Sequence, residues 1–302
     1  MKKVLLITGA NGFVGKAVLR HLESDDSFQI HALYNSSKIL TKSDNVVWHR
    51  VDLLDSLQTR ILIQKVKPSH LLHLAWYINR TDYWVSEKNL EWVLASFHLI
   101  NVFFNNLGKK VLVTGTCAEY DWSGIYCDEE KTPRNSKLTY GLAKNSLYNL
   151  LMAYACAYKK NIGWARLFFA YGPEEHPDRL LPKAITTLLQ NKQFQLTDAH
   201  LLQDFMYIDD VAKALITIME SEVVGGINIG RGIPISQSQV INIIAKKLSR
   251  EHLLSVKDDD RLRNQGAVAK TDRLIDQVGF KATIDIETGL DKYISWIKDK
   301  KF

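Results

Sequence analysis

The chain opens on a short apolar run, Lys3 to Ile7, followed at once by Thr8-Gly9. A run of that length with a turn behind it reads as a buried strand. From Phe13 the period changes, and Val14, Val18, Leu19 and Leu22 fall at helical spacing. The alternation then repeats. Gln29 to Tyr34 and Asn45 to Val51 are strand-like, and Leu57 to Val66 is apolar along one helical face. His70 to Ala75 reads as a fourth strand, about Ser86 to Asn106 as a long helix, and Lys110 to Thr114 as a fifth strand. Strands alternating with helices predict a parallel sheet covered on both faces. Right-handed crossovers make that sheet doubly wound.

After about Tyr171 the pattern loosens. Leu180 to Gln190, Asp209 to Ser221, Ser236 to Leu248 and Thr288 to Lys298 read as helices, with short strand-like pieces such as Gly226 to Ile229 between them. The 302 residues, 46% of them hydrophobic, suffice for one large or two interlocked domains. The expectation is an α/β chain, with a doubly wound parallel sheet and a smaller, partly interwoven C-terminal α/β domain.

The first strand and helix are joined by Thr8-Gly9-Ala10-Asn11-Gly12-Phe13-Val14-Gly15. Glycines at this spacing permit the tight turn, let backbone approach a pyrophosphate, and let the helix pack against the strand. The helix start offers free N–H groups and a partial positive charge to phosphates. A carboxylate closing the second strand would bond the adenosine ribose and select NAD(H). That strand instead ends Ala32-Leu33-Tyr34-Asn35-Ser36-Ser37-Lys38. Small polar donors and a lysine suit a 2′-phosphate, so NADP(H) is favoured and NAD(H) is the alternative.

Tyr140 and Lys144 lie four apart on a predicted helix, hence on one face. Tyrosine ordinarily titrates near about pH 10, and a nearby ammonium stabilises its phenolate. A tyrosine so placed donates a proton to a carbonyl as hydride arrives, or removes one from a hydroxyl. Alone, the pair reads as a surface feature of an amphipathic helix. Its context is Thr114-Gly115-Thr116-Cys117-Ala118-Glu119-Tyr120, which puts the Thr116 hydroxyl at a strand's carboxyl end, where open α/β sheets bind ligands.

The TGxxGxxG turn, the hydroxyl closing the fifth strand and the YxxxK pair, in that order, resemble extended short-chain dehydrogenases/reductases. The likeness runs from Val4 to about Phe280 and is that of the NAD-dependent epimerase/dehydratase family, nucleotide-sugar branch. It implies a Rossmann-type dinucleotide-binding domain over residues 1–170, with a returning segment at about 204–229. Residues 171–203 and 230–302 would bind substrate. It implies that Thr116 polarises the substrate oxygen, that Tyr140 is the acid/base, and that Lys144 binds the nicotinamide ribose and tunes Tyr140. The dinucleotide contacts implied are Gly9, Asn11, Gly12, Phe13, Val14, Gly15, Asn35, Ser36, Asp52, Leu53, Leu74, Ala75, Trp76, Thr114 and Phe168, besides Tyr140 and Lys144. Arg166 through Pro173 and Asp204 through Ala212 resemble the family's "R…YGP" and "DF.yvDDva" segments. Members typically pair through two long helices, the family's fourth and fifth, the latter carrying Tyr140 here, which implies a homodimer.

On the substrate side the candidates are Trp76, Thr116, Cys117, Phe169, Arg179 and Leu180. The 4,6-dehydratases of the family carry Thr-Asp-Glu where this chain has Thr116-Cys117-Ala118. Ala118 moves no proton, which argues against elimination. Cys117 resembles a proton-moving cysteine of some epimerase-reductases only at a different offset, and small buried thiols are usually inert. Phe169 stands where the family often has Asn, and Gln203 where it has Arg. Arg179 is the alternative phosphate ligand, since a guanidinium fork fits phosphate. Trp76, Trp84 and Trp92 suit either the sugar pocket or core packing. The expected activity is reduction of a dTDP-, GDP- or CDP-linked 4-keto-6-deoxysugar. A 4-epimerase is the first alternative, then a reductase of simple carbonyls or a non-catalytic dinucleotide sensor.

The formal charge of +6 fits an anionic small ligand as well as nucleic acid, and no basic stretch interleaved with aromatics supports the latter. The N-terminal apolar run is too short for a signal peptide, and no segment has the length of a membrane span. Cys117, Cys127 and Cys156 are odd in number and not at metal-ligand spacing. The expectation is reduced thiols, no metal and a cytoplasmic protein.

Overall fold

The computed structural model describes residues 2–23, 25, 27–35, 45–257 and 265–301. Seven strands form its main sheet: β1 (Lys3–Thr8), β2 (Phe28–Tyr34), β3 (Val46–Arg50), β4 (His70–His73), β5 (Lys110–Thr116), β6 (Asn161–Leu167) and β7 (Gly225–Ile229). All pairs are parallel, in the order β7-β6-β5-β4-β1-β2-β3. The strand order therefore reverses between β1 and β4, the point at whose carboxyl edge open α/β sheets bind ligands.

Alternate residues of each strand serve opposite faces. Leu5, Ile7, Leu72, Leu112 and Ala165 join one core with α1 (Phe13–Leu22) and α6 (Ile208–Glu220). Leu6, Leu71, Val111, Val113 and Trp164 join the other with α2 (Ser56–Val66), α3 (Lys88–Asn105) and α4 (Thr139–Tyr158). The doubly wound sheet expected from the pattern is present. β6 had no separate sequence signal, because Gly163 and the buried Arg166 interrupt its apolar run.

One polar residue in this core has a mechanical task. Lys110 is 4% exposed, and its Nζ donates to the carbonyls of Ile218 (2.7 Å) and Ser221 at the end of α6. It caps orphan helix carbonyls from the neighbouring strand. Lys110→Met should therefore cost about 1–3 kcal/mol in urea unfolding, since the Ser221 carbonyl loses its donor and Ile218 keeps only the Ser221 hydroxyl.

Tyr126–Cys127 and most of the chain beyond β6, apart from α6 and β7, build a smaller layer. The pieces Ile235–Ser236, Leu202–Gln203, Gly266–Ala269 and Tyr126–Cys127 line up as a four-stranded sheet, and Phe205–Tyr207 pairs with Phe169–Tyr171. Helices α5 (Leu180–Leu189), α7 (Gln237–Leu248) and α8 (Ile286–Lys301) pack on one another beside it. Two buried carboxylates clamp this layer. Asp204 accepts from the amides of Arg231, Gly232 and Ala269, and Asp210 from those of Thr283 and Ile284. No helix among the described residues is long and apolar enough to cross a membrane.

Candidate active site

The glycine turn sits at the β1/β4 reversal. Gly9 has φ +64°, and a Cβ there would lie 2.8 Å from the Ala75 amide nitrogen just past β4. A Cβ on Gly15 would lie 2.4 Å from the Gly9 carbonyl, so only glycine lets α1 fold back this closely. Gly12 caps α1 without a side chain, and the first turn, with Phe13 and Val14, holds no acid. A pyrophosphate fits this helix start, since neither a capping side chain nor an acid competes for its amides. Gly15→Ala should abolish dinucleotide binding, read by thermal shift with added nucleotide, and lower stability as well.

The adjoining strand ends are stitched by Thr8. Its hydroxyl accepts from the amides of Leu74 and Ala75, each at 3.1 Å, and meets His73 Nδ1 at 2.7 Å. The Thr8 proton is therefore given to Nδ1, and His73 Nε2 donates to Ser96 Oγ at 2.8 Å. Burial holds this imidazole neutral, its pKa pulled down to about 3. The His73-Leu74-Ala75 stretch is thus fixed beside the glycine turn.

Thr116 closes β5, and Tyr140 and Lys144 lie in the first turns of α4. The Thr116 hydroxyl lies near the half-buried Tyr140 phenol and favours its phenolate. Tyr83 and Trp84 stand edge-on to its ring, with centroids at 5.3 and 5.6 Å, and its amide donates to the Trp84 carbonyl. Lys144 is 2% exposed; its Nζ donates to the Thr114 carbonyl at 2.8 Å and lies 3.8 Å from the centre of the Trp76 ring. Trp76 is itself held by Asn89, whose Oδ1 accepts from the indole at 2.8 Å. Burial raises the Tyr140 pKa, so the phenol keeps its proton. Burial pulls Lys144 down to about 7, against the charge of Glu119, which raises it.

That depression has a stability consequence. Between about 7 and the ordinary 10.5 the unfolded chain binds the Lys144 proton and the folded chain does not. Stability from this group rises with pH across that window, and the full penalty applies below it. The melting temperature of Lys144→Met, relative to wild type, should therefore be higher at pH 6 than at pH 9.5.

Of the other expected residues, Asn35, Asp52, Leu53, Cys117 and Phe168 follow the carboxyl ends of main-sheet strands, whereas Phe169, Arg179 and Leu180 belong to the smaller layer. Asn35, just past β2, accepts on its carbonyl from Arg50 Nε at 3.2 Å; Ser36 lies outside the described residues. The Asp52 carboxylate accepts from the Leu54 amide, and Leu53 is buried beside it. Phe168 is buried against Tyr120, and Phe169 packs between Trp122 and Phe205. Gln203 is buried in its short strand. Arg179 caps α5 ahead of Leu180, and its Nε pairs with Glu175 at 3.2 Å. Burial pushes Glu175 up to about 7, with Arg179 opposing. Cys117 is buried, and burial drives its thiol well above the ordinary range. No group of three or more potential ligands among the described residues could hold a metal ion. Glu119 and Trp164, which back Thr116 from inside the core, carried no sequence signal beyond an acid after the fifth strand.

A family model described as "NAD dependent epimerase/dehydratase family" matches residues 5–230. The chain belongs to this family. Its relatives within the family include a UDP-glucuronate 4-epimerase of Thermodesulfobacterium geofontis, 26% identical over 97% of this chain and 96% of that protein. The dTDP-4-dehydro-6-deoxyglucose reductase of Escherichia coli is 24% identical, covering 99% of each. The dTDP-D-glucose 4,6-dehydratase of Mus musculus is also 24% identical, over 98% of this chain and 89% of that one. Among solved structures, the UDP-glucose 4-epimerase of Thermotoga maritima superposes with TM-score 0.87 at 18% identity, covering 98% of this chain and 99% of that one. The extended short-chain dehydrogenase/reductase fold expected from the motifs is thus borne out.

Proposed function

We propose that this family member reduces the 4-keto group of a nucleotide-linked 4-keto-6-deoxysugar, with NADPH favoured over NADH. The observation that carries the reading is the pair following Thr116. Elimination across C5 and C6 needs an acid and a base there, and this chain offers a buried, protonated thiol and a methyl group. What remains is a relay between one hydroxyl, one phenol and one ammonium.

Bound NADPH or NADH supplies the hydride. Gly9, Gly12, Phe13, Val14 and Gly15 receive the pyrophosphate, Lys144 holds the nicotinamide ribose, and Trp76 shields Lys144 from water. Thr116 holds the ketone oxygen. Tyr140 gives that oxygen its proton as the carbon gains hydride, and the product is the alcohol. Burial keeps Tyr140 protonated, the state this direction requires. The absence of a carboxylate at Tyr34-Asn35 favours NADPH. Residues 1–170 and about 204–229 hold the dinucleotide in this reading, and 171–203 and 230–302 the sugar nucleotide, with Arg179 placed for its diphosphate.

A second reading, 4-epimerisation, is supported by the epimerase relative at 26% identity. Mass spectrometry separates the two. A reductase product is two hydrogens heavier than its substrate, and an epimerase product has the same mass.

The protein is also proposed to be a homodimer through α3 and α4. Leu90 and Leu94 on α3 are 57% and 74% exposed, and Leu142 and Leu150 on α4 are 46% and 43% exposed. A pairing through these two helices would bury these exposed leucines. Leu94→Glu combined with Leu150→Glu should convert a dimer to a monomer in light scattering.

A further inference from the structure

Directly beneath the relay lies a fully buried carboxylate that the proposed mechanism does not use. Glu119 is 0% exposed. Its Oε1 accepts from the Thr116 amide at 2.9 Å and from Trp164 Nε1 at 3.0 Å, and its Oε2 accepts from Arg166 Nε at 2.7 Å. Thr116 Oγ1 in turn accepts from the Ala118 amide at 3.2 Å. A Cβ on Gly115 would fall 2.4 Å from Glu119 Oε1 and 2.1 Å from Trp164 Nε1. The strand thus gives up a side chain to let this carboxylate reach the Thr116 backbone. Arg166 is clamped in its turn, its guanidinium 4.3 Å from the centre of the Tyr148 ring.

We propose that Glu119 is a positioning residue: by holding the Thr116 amide it fixes the Thr116 hydroxyl at the distance from the Tyr140 phenol that the proton relay requires. The idea rests on the assignment of Thr116, Tyr140 and Lys144 as the reacting groups, and it applies to reduction and epimerisation alike. A burial penalty for an isolated carboxylate is severe, so a pair kept here needs a task or a partner of fixed geometry. The Thr116 amide supplies that geometry. Glu119 also faces Lys144 electrostatically, as the charge that opposes its deprotonation.

Two conservative variants separate position from charge. Glu119→Asp keeps the charge for Arg166 but withdraws the carboxylate by one carbon from the Thr116 amide. Glu119→Gln keeps an oxygen at that length for Thr116 but loses the ion pair. If position is what matters, Asp lowers kcat roughly 10²-fold with KM and dinucleotide affinity unchanged, since small misplacements cost that much. Gln lowers kcat less, although it is the less stable protein. Hydrogen exchange at the Thr116 amide, which needs no substrate, should be fast in Asp and slow in Gln and wild type. Turnover that follows stability, with Asp above Gln, overturns the proposal, as does a Thr116 amide equally protected in all three. Wild-type protein that neither reduces nor epimerises any nucleotide sugar refutes the assignment of the relay itself, and does so before any variant is made.

Discussion

Tyr140→Phe is expected to lower turnover by roughly 10²–10⁴-fold while dinucleotide affinity and melting temperature stay near wild type. The size follows from removing the acid and nothing else. The Tyr140 ring rests edge-on against Tyr83 and Trp84, and phenylalanine keeps both contacts. The lost oxygen is the one whose ionisation Thr116 favours. Steady-state rates and nucleotide titrations on the same preparations check both halves of the statement. A fall in nucleotide affinity as large as the fall in turnover would mean that Tyr140 binds and does not transfer a proton.

Arg166→Met is expected to be strongly destabilising, by about 3–5 kcal/mol in denaturant unfolding. The Arg166–Glu119 pair is 2.7 Å long, with both side chains fully buried. Methionine roughly replaces the volume but leaves the Glu119 carboxylate without its cation. The double variant Arg166→Met with Glu119→Leu removes both charges and should recover much of that loss, because a buried pair replaced by apolar groups is often neutral. A double variant less stable than the sum of the singles contradicts this account of the pair.

The sequence carried β1 to β5 and the helices between them to within about two residues, but not β6. Those strands are apolar on both faces and those helices are amphipathic, and α1 and β2 fall within a residue of where the pattern puts them. His70 to Ala75 was read two residues too long, because Leu74 and Ala75 continue the apolar run but turn their amides to Thr8. The second layer was poorly legible. Its strands are two to four residues long, as at Leu202–Gln203 and Gly266–Ala269, and a period cannot show in so few positions.

The site was legible where chemistry demands residue types. Glycine at Gly9 and Gly15, and Tyr140 with Lys144, announce themselves. Support from within the core did not. Glu119 and Trp164 act through a backbone amide and an indole nitrogen that only the folded packing brings together. Asp204 and Asp210 stood out in the "DF…DD" segment, yet the structure shows both engaged with backbone amides of the smaller layer.

The most direct test of the central claim is to follow the near-ultraviolet absorbance of NADPH, then of NADH, with a dTDP-linked 4-keto-6-deoxysugar. The predicted result is stoichiometric consumption, faster with NADPH, that disappears in Tyr140→Phe. Retained dinucleotide with no net consumption, together with interconversion of C4 epimers, would contradict it and make this protein a 4-epimerase.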